Sequence, residues 1–114
     1  MNTLYAIIGL FALGAIIGMY LLTFVLQSKK APTAVALIHG AFVAIALVLL
    51  IVYTVNNGPG PIESIVLFVV AALGGFYLFY RDVTGKVVPK WLAIVHALAA
   101  VTGFLLLLIF TFKK

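Results

Sequence analysis

The chain has 114 residues, 67% of them hydrophobic and 8% charged, about a third of the charged share of an average globular protein, and its mean hydropathy is +1.38. This composition excludes a water-soluble fold and predicts an all-α integral membrane protein, because only helices and closed barrels satisfy backbone groups in lipid and no period-2 alternation is present. The net charge of +5 follows the loops and leaves no soluble domain to present a basic face to nucleic acid, while the absence of cysteine excludes disulfides and thiolate ligands.

Four apolar runs predict transmembrane helices over residues 4–26, 33–55, 62–80 and 91–112, each long enough for a hydrocarbon core of about 30 Å. No positive charge precedes the first run and it exceeds the apolar stretch of a signal peptide, so it is expected to remain as helix 1. Helix 1 carries Gly14, Gly18 and Tyr20 and leads into Gln27-Ser28-Lys29-Lys30-Ala31-Pro32, whose proline suits the first turn of helix 2. Helix 2 contains His39 and ends at the turn-forming run Asn56-Asn57-Gly58-Pro59-Gly60-Pro61. Helix 3 carries Gly74, Gly75 and Tyr77 before a polar exit from Arg81 to Lys86. Pro89 then opens helix 4, which contains His96 and runs to Lys113 and Lys114.

Loops 1 and 3 hold Lys29, Lys30, Arg81, Lys86 and Lys90 against Asp82, whereas the other side has Lys113 and Lys114 against Glu63. The positive-inside rule puts these two loops in the cytoplasm and both termini outside, as in the cytoplasmic (inner) membrane of a bacterium.

Shifting the sequence against itself by 57 positions pairs Leu10 with Leu67, Phe11 with Phe68, Ala15 with Ala72, Gly18 with Gly75 and Tyr20 with Tyr77. The same register pairs Lys29 with Lys86, Pro32 with Pro89, Ala36 with Ala93, His39 with His96 and Thr54 with Thr111. Leucine and alanine matches are cheap in this composition, but glycine, tyrosine, proline and histidine matches are not. The chain therefore reads as one transmembrane domain over residues 1–114, built from two tandem hairpins, 1–57 and 58–114. A pseudo-two-fold axis along the membrane normal would relate them and place helices 2 and 4 on one diagonal of a four-helix bundle.

Each histidine lies seven residues after its proline, about 10 Å along its helix at the usual rise, so both imidazoles sit at one depth. Helices pack about 8–10 Å apart, which makes the diagonal about 13 Å and leaves room for two inward imidazoles with a metal between them. Ala93, Ala99, Ala100 and Gly103 share the helical face of His96, and Ala36, Phe42, Val43 and Ala46 share that of His39. These small side chains would leave room for a flat ligand. Gly18, Gly75, Tyr20 and Tyr77 fall near the same depth, where a glycine would let a macrocycle approach the backbone and a tyrosine would offer a hydrogen bond.

His39, His96, Gly18 and Gly75 within a four-helix hairpin repeat resemble the membrane-embedded b-type cytochromes. The resemblance implies one non-covalent haem b per chain, with His39 and His96 as axial iron ligands and the glycines making space for the porphyrin. It departs from the commoner pattern of four histidines and two haems. It further implies that Lys29, Lys30, Arg81, Lys86 or Lys90 pairs with the propionates. The expected role is electron transfer within the membrane, or haem binding and sensing. The lipid bilayer is one partner, and a redox partner, a quinone and a second copy of the chain are left open.

Two other functions are compatible with the same residues. A small proton-coupled transporter would use the histidines, although the membrane-embedded glutamate of the small multidrug exporters has no counterpart here, Glu63 and Asp82 both lying near helix ends. A non-catalytic accessory subunit would use them only as helix-to-helix hydrogen-bonding groups, and Gly14-x-x-x-Gly18 and Ala71-x-x-x-Gly75 would then serve close packing. A zinc site would need more ligands than two histidines, and no nucleophile-base pair or phosphate loop is present, so independent catalysis is not expected.

Overall fold

The computed structural model describes residues 2–113, so Lys114, one of the two terminal lysines weighed for topology, lies outside the described residues. Four helices account for nearly all of them: α1 Asn2–Leu26, α2 Thr33–Asn57, α3 Ile62–Val83 and α4 Lys90–Phe112. All four are long and apolar enough to cross a membrane.

Two helices run past the ends expected from hydropathy, because a helix stops where the backbone must leave the helical region, not where the apolar run ends. α2 continues through Asn56 and Asn57 and stops at Gly58, which Pro59 holds in an extended conformation (φ −54°, ψ 162°). α3 takes in Arg81, Asp82 and Val83 and ends in a Schellman turn: Gly85 N–H donates to Asp82 O (3.2 Å) and Lys86 N–H to Arg81 O (2.9 Å). Pro32 and Pro89 each cap the following helix from one position outside it, their carbonyls accepting from Ala36 and Ala93 at 3.1 Å.

α1 ends in the same turn, with Ser28 N–H donating to Val25 O and Lys29 N–H to Phe24 O (2.8 Å). The left-handed position is filled by Gly85 (φ 74°) in one turn and by Ser28 (φ 57°) in the other. A Cβ in that conformation costs about 1–2 kcal/mol. Ser28→Gly is therefore expected to stabilise the fold by about 1 kcal/mol and Gly85→Ala to destabilise it comparably, read as opposite shifts of thermal midpoint in detergent.

α1 packs on α2 and α4, and α3 on α4 and α2, so α2 faces α4 and α1 faces α3 across the diagonals. Packing differs between the two ends of the bundle. Near the termini, Ile7, Leu50 and Leu107 are fully buried around Phe11 and Phe68, whose rings stack at 4.0 Å between centroids. Toward the 27–32 and 84–89 loops the interior opens instead into a cavity of about 550 Å³. The outer surface is apolar throughout, with Ile16, Val55, Leu73 and Phe76 each at least 65% exposed. That inverts the pattern of a soluble bundle.

Candidate functional site

His39 and His96 reach into the cavity from opposite corners of the bundle. Their ring centroids are 6.4 Å apart and their planes are inclined at 79°. His39 Nδ1 lies 2.8 Å from Gly14 O on α1, and His96 Nδ1 lies 2.7 Å from Ala71 O on α3. A carbonyl only accepts, so in each ring Nδ1 carries the hydrogen and Nε2 is the unprotonated nitrogen of the neutral imidazole. Neither Nε2 has a hydrogen-bond partner among the described residues. The interhelical hydrogen bond expected of an intramembrane histidine is thus present, and it occupies only one of the two nitrogens.

The geometry tests whether a metal fits between the rings. Two metal–nitrogen bonds of about 2.0 Å and two imidazole radii of about 1.1 Å would put the centroids of two rings that hold a metal between them at most about 6.2 Å apart. The observed 6.4 Å lies close to that limit. Metal-bound histidines also habitually donate their second nitrogen to a carbonyl, which fixes the ring and raises the basicity of the coordinating nitrogen. No group of three or more metal-binding side chains occurs among the described residues, so a bare zinc or copper centre lacks the ligands it needs.

Other sequence-predicted positions divide into two groups. Gly18, Gly75, Ala36, Ala93 and Ala100 all line the cavity. Gly18 and Gly75, however, leave room chiefly for the imidazoles: a Cβ on Gly18 would stand 2.9 Å from Cε1 of His39, and one on Gly75 would stand 3.0 Å from Cε1 of His96. Of the further small residues, Gly103 packs on Phe68 and Ala46 is wholly buried near the terminal end.

Tyr20 and Tyr77 are not brought to the cavity. Each is about half exposed, and Tyr20 packs edge-on against Phe24 on the outer surface of α1. Two helical residues are 200° apart around the axis, so a tyrosine two positions after a cavity-lining glycine points away from it. Counting depth along the helix left this angle out.

The loop end is more acidic than the loop sequences suggested. The titratable side chains lining the cavity are His39, His96 and Asp82, with no cation among them. Lys30 is tied to Asp82, its Nζ lying 3.1 Å from Oδ2 and donating to the Asp82 carbonyl at 2.9 Å. Arg81 Nε donates to Val87 O, and Lys86 Nζ sits 5.2 Å from the centre of the Tyr80 ring. Three of the five cations expected near a propionate therefore already have protein partners.

The sequence reading missed the side walls of the cavity. Leu37, Gly40, Ala41 and Ala44 of α2 and Ala72 and Phe76 of α3 extend it to the outer surface. Their signal in the sequence was the small residues Gly40, Ala41 and Ala44 on one flank of α2, within five positions after His39. No protein family, characterised protein or solved structure matches this chain.

Proposed function

We infer that the protein spans a membrane and holds one haem b between His39 and His96, serving as an electron carrier or haem-binding protein. The observation that carries this reading is the pair of imidazoles 6.4 Å apart, each with Nδ1–H committed to a backbone carbonyl and Nε2 free. Held by His39 and His96, haem would supply one-electron chemistry suited to electron transfer rather than oxygen activation. The chain's own residues fix the two rings, exclude water at the terminal end through the Phe11–Phe68 stack, and surround the site with apolar walls.

The apolar exterior supports membrane insertion, and the cation excess of loops 1 and 3 supports their cytoplasmic placement. Paired features 57 positions apart support two hairpins related by a pseudo-two-fold axis: the acceptors Gly14 and Ala71, the rings of Phe11 and Phe68, and the left-handed Ser28 and Gly85. A charged or polar group inside a membrane is costly enough to need a use, and two at matched depth facing one cavity have one here.

The test is a single absorption spectrum. Protein purified from haem-replete cells should be red, with a Soret band and reduced α and β bands of a low-spin haem b. A colourless preparation overturns the reading and leaves the histidines as helix-to-helix hydrogen-bonding or proton-carrying groups.

A further inference from the structure

The cavity is closed at both ends and reaches the outer surface at its sides, where Leu37 and Phe76 edge the α2/α3 gap and Met19 and Val101 edge the α1/α4 gap. At the terminal end, the Phe11–Phe68 stack and the fully buried Ile7, Leu50 and Leu107 fill the cross-section. At the loop end, Lys30 bridges the two hairpins through Asp82, Arg81 pins the third loop by its hydrogen bond to Val87 O, and Ala31 is buried beneath them. Water-borne ligands therefore meet an ion pair and a tied loop.

The sides differ from each other. His39 leans on α1 and His96 on α3, so the gaps beyond them are α2/α3 and α1/α4. With 100° per residue, Leu37, Ala41 and Ala44 lie on the flank of α2 turned away from α1, toward Ala72 and Phe76 of α3. At the corresponding positions 57 residues away, the α1/α4 gap has Ala97 for Gly40, Leu98 for Ala41 and Val101 for Ala44. Smaller side chains would ordinarily let two helices close up. Here α2 and α3 instead pack less closely than α1 and α4, and a Cβ on Gly40 would meet nothing within 4 Å. The missing volume thus makes this the wider of the two openings, continuous with the cavity and edged by Leu37 (57% exposed) and Phe76 (70% exposed).

We propose that the gap between α2 and α3, gated by Phe76, is a lateral portal through which the porphyrin passes from the bilayer into the site between His39 and His96. This inference rests on the haem reading above. The occupant is a flat, largely apolar macrocycle because the portal leads only to the histidine cavity and its walls carry no polar side chain before the imidazoles. Such a molecule partitions into lipid, where the portal faces.

The test uses the full-length, haem-free protein in phosphatidylcholine vesicles preloaded with haemin, with Soret growth followed by stopped flow. Ala41→Leu/Ala44→Val, which gives this gap the side chains of the other, is expected to slow loading about tenfold with an unchanged final spectrum. Phe76→Ala is expected to speed loading by about threefold, and Asp82→Asn, which loosens the aqueous mouth, is not expected to speed it. Parental rates in both portal variants overturn the portal, as does acceleration by Asp82→Asn matching that of Phe76→Ala. If the double variant does not reach the parental end point, Phe76→Ala decides: faster loading supports the portal and a parental rate overturns it. Absence in the parent of any shift of the haemin Soret band to that of a bis-histidine haem overturns the haem reading and the portal together, a result distinct from altered or unaltered rates.

Discussion

If His39 holds haem as proposed, His39→Asn is expected to yield a bundle as stable as the parent that does not retain haem, whereas His39→Ala loses both properties. The two nitrogens of the ring have separate work. Nδ1 ties α2 to Gly14 O on α1 at 2.8 Å, and an asparagine amide nitrogen, at the same distance from Cα as Nδ1, can make that bond. Asparagine has no equivalent of Nε2. Interhelical hydrogen bonds in membranes average about 0.6 kcal/mol and reach about 1.7, so the alanine variant should melt earlier by that increment while the asparagine variant should not. On the proposed haem site, loss of Nε2 should exceed the roughly 10- to 100-fold weakening that follows loss of a ligand's hydrogen-bond partner, enough to leave the purified variant without haem. His96→Asn should behave alike, because Ala71 O stands 2.7 Å from its Nδ1. Haem retention by either asparagine variant at the parental level would overturn the assignment of that histidine to haem. Equal melting of the asparagine and alanine variants would instead remove the structural role of Nδ1.

What could be read from the sequence was periodic or local. Four apolar runs gave four helices, and equal spacing from Pro32 and Pro89 placed the histidines at one depth, where they now line one cavity. The ends of α2 and α3 were not legible from hydropathy, since Asn57, Arg81 and Asp82 continue a helix until Gly58 or Gly85 changes the backbone. Angular position was legible in principle: two residues of separation turn Tyr20 away from Gly18, and counting depth alone concealed it. The partnership of Lys30 with Asp82 was not legible, because it joins residues 52 apart and depends on how the two hairpins dock. Gly18 was read as space for a ligand, but its position against His39 shows that it first makes space for the His39 imidazole.

Gly18→Ala follows from that last point and is expected to damage the site without removing any functional group. The added Cβ would stand 2.9 Å from Cε1 of His39, whereas carbon atoms attract best at about 3.5–4.0 Å. The obstructing atom is no flexible chain end, since it belongs to a ring whose Nδ1 is fixed to Gly14 O one turn earlier on the same helix. Either the ring swings away, giving up that hydrogen bond and displacing Nε2, or α1 and α2 separate. The second route also loosens the fit of Val43 against Gly14. Overpacking of this kind typically costs about 1–3 kcal/mol. Displacing a held imidazole should in addition weaken haemin binding by about 10- to 100-fold, as loss of its orienting partner does. Gly75→Ala should act similarly through Cε1 of His96 at 3.0 Å. Gly9→Ala is the reference, because a Cβ there meets nothing within 4 Å and helix propensity then favours alanine by about 1 kcal/mol. Thermal midpoints and haemin titrations of the three variants separate the effects: a general intolerance of α1 to alanine would lower Gly9→Ala as well, whereas a locked imidazole lowers Gly18→Ala and Gly75→Ala and spares Gly9→Ala.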